Sequence, residues 1–161
     1  MSAPLLEIAT DVWVSLLAHL REQSGGVRES GAFLLGQQNG PARVAALFLP
    51  YERLQDDALH DDFVALTAAS FSKLWDLCAE HGASVVADVH THRFGPEQSL
   101  SDRTNPMIAL PGHIAFILPR FAQGVIHLRD AAMYVYQGSH HWKRCTGRSV
   151  ERVVRLTEAV R

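Results

Sequence analysis

The segment Asp88-Val89-His90-Thr91-His92 sets two histidines two residues apart, and Asp102 follows ten residues beyond the second. In a strand, residues i and i+2 face the same side with Cα atoms roughly 6.5–7 Å apart, so both imidazoles can converge on one ion. The stretch from Arg93 to Asp102 is long enough to fold back and bring a carboxylate oxygen to the same point. Two histidines, one carboxylate and an open fourth position make the ligand set of a catalytic zinc site. Water at such a site has a pKa near ~7, so it can act as a nucleophile at neutral pH. The chemistry still needs a base and a donor for the tetrahedral oxyanion. Glu29, ahead of the apolar run Ala32–Leu35, is a candidate base. Ser99, three residues before Asp102, is a candidate donor.

The elements that must hold these residues can be read from periodicity. Leu5 to Ala9 reads as a short strand. A helix follows with Thr10 as its N-cap, where Trp13, Leu16, Leu17 and Leu20 fall at i, i+3, i+4, i+7 before the Gly25-Gly26 stop. Ala32–Leu35 is a buried strand, Asn39-Gly40 signals a hairpin, and Ala42 to Leu49 returns. Tyr51 to Asp62 reads as a polar loop and Phe63 to Leu66 as a strand. A second helix carries Phe71, Leu74, Trp75 and Cys78 on one face and stops at Gly82. Ser84 to His92 is a strand, so the His pair sits on regular backbone, and Arg93 to Asn105 is a loop. His113–Leu118, Ala131–Tyr136 and a segment around Trp142 supply further strands. The last stretch, with Val150, Val153, Val154 and Thr157 aligned, reads as an amphipathic helix. Helices interleaved with strands and hairpins predict a single α/β domain over residues 1–161, with a mixed sheet.

Composition removes several alternatives. At 161 residues, 47% hydrophobic and 20% charged, the chain matches one soluble globular domain. A net charge of −2 carries no global signal for nucleic acid or an anionic membrane. Cys78 and Cys145, the two cysteines, exclude a disulfide scaffold and any Cys-x-x-Cys zinc site. The N-terminus lacks a basic n-region, and the apolar stretch Met107 to Pro119 is too short and broken to span a bilayer, so a cytoplasmic location is expected.

Taken singly, each signal has a plainer explanation. A His-x-His pair is more often two strand histidines, Ser99-x-x-Asp102 is a capping-box helix start, and Glu29 is a solvated carboxylate. Their joint order favours metal chemistry. Asp88 either orients a ligand histidine or is a hydrogen-bonded strand carboxylate. His140, His141 and Cys145 have unconvincing ligand spacing, and Trp13 and Trp75 read as core.

Together these residues resemble the JAMM metalloproteases, also called the JAB/MPN domain. That family's motif is a Glu near the second strand, then His-x-His, a spacer of seven and Ser-x-x-Asp. Here Glu29 is followed seven residues later by Gly36, and His90-Thr91-His92 and Ser99-Leu100-Ser101-Asp102 match the remainder. The spacer between His92 and Ser99 is six residues, and Arg93 stands where the family usually has Pro. The resemblance implies a cytidine-deaminase-like α/β domain with a mixed, mostly antiparallel sheet flanked by helices. It implies one catalytic Zn2+ held by His90, His92 and Asp102, with Glu29 as general base and acid and Ser99 steadying the oxyanion. It further implies an isopeptidase or peptidase that cuts after the C-terminal glycine of a ubiquitin-like protein, as short bacterial members resembling deubiquitinases do. The runner-up is an inactive MPN-type binding or scaffold module, and a third reading is a peptidase acting on a small amide or sulfur-carrier adduct.

Overall fold

The computed structural model describes residues 5–158; Met1–Pro4, where a leader would begin, lie outside the described residues. An eight-stranded mixed sheet organises the chain, in the order β7-β6-β5-β4-β2-β3-β1-β8. Strand β1 (Leu6–Ala9) runs directly into helix α1 (Thr10–Ser24). Strands β2 (Gly31–Asn39) and β3 (Ala42–Pro50) form an antiparallel hairpin. A single helical turn, α2 (Tyr51–Leu54), and helix α3 (Ala68–His81) precede β4 (Ser84–Thr91). After α4 (Leu100–Thr104) come β5 (Ile114–Leu118), β6 (Ala132–Gly138) and β7 (His141–Thr146). Helix α5 (Arg148–Val153) leads into β8 (Val154–Thr157). Four strand pairs are antiparallel and three parallel, so the α/β class and mixed sheet are as expected.

Each sheet face buries its own apolar cluster. One holds Trp13, Leu16 and Leu20 of α1 against Leu34, Val89, Phe116 and Met133. The other holds Leu74 and Cys78 of α3 against Phe33, Leu35 and Tyr51. Burying side chains of Leu and Phe size contributes about 1.5–3 kcal/mol apiece, so both layers are anchored by the hydrophobic effect. Strand β4 lies between β2 and β5 and is covered on both faces, which fits its Val- and Ala-rich sequence. A bulge at Val86 lets Val85 pair with Leu35 while Ala87 pairs with Leu34. The extra residue resets the alternation, so Asp88 and His90 face the α3 layer.

Several local expectations need correction. Thr10 is the first helical residue of α1 and Ala9 holds the cap position; the Thr10 hydroxyl instead donates to the Thr157 carbonyl at 3.0 Å. Phe63 to Leu66 is not a strand: it makes only an isolated antiparallel bridge, Leu59 to Val64. Tyr51 to Leu54 is helical, with Tyr51 fully buried against Phe33. Trp75 is 49% exposed on the solvent side of α3 and is not core. The final stretch stops being helical at Val153, and Val154–Thr157 becomes β8, parallel to β1. The open edge of β1 supplies hydrogen-bond partners that favour extension from the β-branched Val154 onward.

Candidate metal centre

Glu29, His90 and His92 come together at the end of β4, and their donor atoms all lie within 4.8 Å of one another. The register explains how. Gly31 sits directly across from His90 in the β2–β4 pair, so the chain just before β2 must pass beside the histidines. A Cβ on Gly31 would meet the Tyr51 ring and lie 2.7 Å from the Val89 carbonyl, so only glycine permits this approach.

A buried hydroxyl clamp fixes the two segments. The Ser30 amide donates to Thr91 Oγ1 at 3.0 Å, and the Thr91 amide donates to the Ser30 carbonyl at 2.9 Å. Ser30 Oγ donates to the Leu20 carbonyl at 2.9 Å and lies 2.7 Å from Ser24 Oγ. Ser30 follows Glu29, and Thr91 separates the two histidines. Each clamp residue therefore adjoins a functional one while its own side chain points into the opposite layer. Sequence reading passed over both, since a lone Ser or Thr has no periodic signature.

The imidazoles meet edge-on, with Nε2 atoms 3.1 Å apart. Asp102 closes the group: Oδ1 lies 3.3 Å from His90 Nε2 and Oδ2 lies 3.1 Å from His92 Nε2. Ligand atoms on a tetrahedral zinc at 2.0–2.1 Å stand about 3.3 Å apart, so the separations fit such an ion. Glu29 Oε1 stands further out, 3.6 Å from His92 Nε2. The donor atoms of His90, His92 and Asp102 thus converge at separations that one metal ion could bridge.

The electrostatics follow from that crowding. Burial pushes the Glu29 carboxyl up to about 7; His90 and His92 pull against the shift, while Asp102 and Asp62 add to it. Burial also works to raise Asp102, yet hydrogen bonds from His90 and His92 outweigh it. With the His90 charge and the Ser99 amide, they hold it well below the usual carboxylate range. Burial lowers His90, but the hydrogen bond and charge of Asp102 leave it above its ordinary value.

Ser99 and Asp102 belong to one capping box at the start of α4, inside the segment expected to be loop. The helix-start and ligand readings therefore coexist. Ser99 is solvent-exposed, and its oxygen accepts from the Asp102 amide, which leaves the hydroxyl proton free to donate. Asp88 does not orient a ligand histidine. Its Oδ2 lies 2.5 Å from Nε2 of His113, and both side chains are buried. His140 and His141 are exposed at the β6–β7 turn and join no metal-holding group among the described residues.

Arg93 reaches from the short spacer to the Val27 carbonyl at 3.4 Å and lies over the Phe121 ring. A cavity of about 60 Å³ opens beside His90 and Asp102, walled by Phe63, Met107 and Trp142.

The fold and centre define an α/β protein with a candidate metal-binding triad. No protein-family model matches the chain. In fold it is similar to protein DSY2949 from Desulfitobacterium hafniense, with a TM-score of 0.71 and 14% identity, over 96% of this chain and 94% of that one. It is also similar to a protein from Salinibacter ruber, with a TM-score of 0.58 and 17% identity, over 86% and 87%. At such identities the likeness concerns the fold alone.

Proposed function

We propose that this protein is a zinc-dependent peptidase of the JAMM type that cleaves after the C-terminal glycine of a ubiquitin-like protein. The observation that carries the reading is the convergence of His90, His92 and Asp102 at 3.1–3.3 Å, with Glu29 set just outside them. His90, His92 and Asp102 would hold the zinc, which when bound would supply Lewis acidity and lower the pKa of a bound water to ~7. Glu29 takes the proton of the attacking water as the oxygen bonds to the carbonyl carbon. It then delivers that proton to the departing amine as the C–N bond breaks. A carboxylate beside the attacking water can do both. The Ser99 hydroxyl donates to the carbonyl oxygen as negative charge builds there.

A protein substrate is supported by the rim. Val27, Phe94 and Leu100 stand within two residues of Glu29, His92 and Ser99 and are 59%, 79% and 69% exposed. Apolar side chains exposed this near in sequence to the site residues fit a macromolecular partner.

The test measures zinc per chain in the purified protein and in His92→Ala, then cleavage of a ubiquitin-like fusion against a simple peptide. About one zinc, lost in the variant, together with cleavage of the fusion supports the reading. A wild type that takes up no supplied zinc overturns it in favour of a metal-free binding module. No described helix is long and apolar enough to cross a membrane.

A further inference from the structure

A second concavity lies on the opposite face of the sheet, away from the metal centre. Leu5, Met133, Val135 and Val153 form its apolar floor, and its volume of about 430 Å³ falls within the range of small-molecule sites. Met133 and Val135 belong to the α1-side cluster, whereas Asp88 and His90 face the α3 side. The rim is cationic. Lys143 and Arg152 line it, with the hydroxyls of Thr146 and Ser149, and no carboxylate lines it.

Neither Lys143 nor Arg152 forms an ion pair among the described residues, whereas Arg144 turns to Glu97 and Arg155 to Glu7. Between positions 143 and 155 the chain carries Lys143, Arg144, Arg148, Arg152 and Arg155 against one carboxylate, Glu151. On a chain whose net charge is −2, that is a local reversal of sign. The half-buried Cys145 also lines the cavity; burial raises its pKa, and the nearby Lys143 charge pulls the other way.

We propose that this cavity binds a small organic anion, an apolar body on the floor with a phosphate, sulfonate or carboxylate head between Lys143 and Arg152. Cations and hydroxyls on one rim recognise such a head, and the floor of Leu5, Met133, Val135 and Val153 accommodates an apolar body. The proposal is independent of the peptidase reading, since no residue is shared between the two sites.

The experiment titrates the full chain with anilinonaphthalenesulfonate, followed by fluorescence and by backbone amide shifts. Saturable one-to-one binding is expected, with shifts at Lys143, Cys145, Ser149 and Arg152, and weakening as salt rises. Lys143→Glu with Arg152→Glu should weaken it about tenfold or more, while Arg53→Glu, on α2, leaves it unchanged. Both variants alter exposed residues, and their thermal melts confirm folding. Absence of binding below millimolar concentration overturns the proposal, as do shifts mapping elsewhere or affinity indifferent to the double reversal.

Discussion

Ser99 and Asp102 hold each other at the start of α4: the Ser99 amide donates to Asp102 Oδ2 at 2.8 Å, and the Asp102 amide donates to Ser99 Oγ at 3.0 Å. The same Asp102 carboxylate touches both imidazoles. One helical turn therefore sets the distance between the proposed metal and the proposed oxyanion donor. The six residues between His92 and Ser99 precede this turn.

Ser99 carries two roles that variants can separate. Ser99→Ala should cost about 1 kcal/mol through the lost cap and should also cut turnover. Ser99→Asp retains a cap-competent oxygen without a donor, so stability should stay near wild type while turnover remains low. Thermal melts paired with initial rates check this. Full turnover in Ser99→Ala would reduce the residue to a helix cap.

Glu29 stands outside the tight His90–His92–Asp102 group, and its role is tested by isosteric loss of charge. Glu29→Gln should keep about one zinc per chain while lowering kcat by about 10²–10⁴-fold. Metal analysis and single-turnover kinetics on the same sample decide it. Loss of zinc in the variant would make Glu29 a ligand, and unchanged kcat would remove it from catalysis.

The same residue gives the metal-free protein a signed pH dependence. Its folded pKa, about 7, exceeds the ordinary 4.5, so the folded state binds more protons between those values. Stability from this group is fully present below pH 4.5 and declines as pH rises through about 7, by about 3 kcal/mol in all. Denaturant melts of the metal-free wild type minus those of Glu29→Gln should show that slope. A difference that stays flat with pH would contradict it.

Thr91→Val removes the acceptor of the buried Ser30 amide. The unpaired N–H should cost about 1–3 kcal/mol. Because the clamp ties Glu29 to the His pair, KM should move little while kcat falls. Thr91→Ser, which restores the oxygen, should recover both stability and kcat.

Legibility of the site tracked the nature of each interaction. His90, His92, Glu29, Ser99 and Asp102 stood out because their types are rare in that order, and the structure draws Glu29, the histidines and Asp102 into one cluster. The helices were readable wherever an apolar stripe ran at 3.6-residue spacing, as in Leu16, Leu17 and Leu20. Long-range pairing was not. Val154–Thr157 carries a helical stripe, and only the distant edge of β1 turns it into a strand. The partner of Asp88, His113, likewise lies 25 residues away on the lead-in to another strand. Trp75 matched its stripe but lies at its margin, where no opposing layer covers it.

The pairing of β1 with β8 has a kinetic consequence. Leu6 aligns with Val154 and Ala9 with Thr157, so the edge of the sheet cannot form until the last strand has found the first. Contacts of that sequence separation incur their loop-closure entropy before any packing rewards them. Refolding followed by tryptophan fluorescence should accordingly proceed in roughly milliseconds to seconds, far slower than helical bundles of similar length. On the ribosome, the hairpin of β2 and β3 is complete long before β8 has emerged, and the β1 edge must wait unpaired on that side until it does.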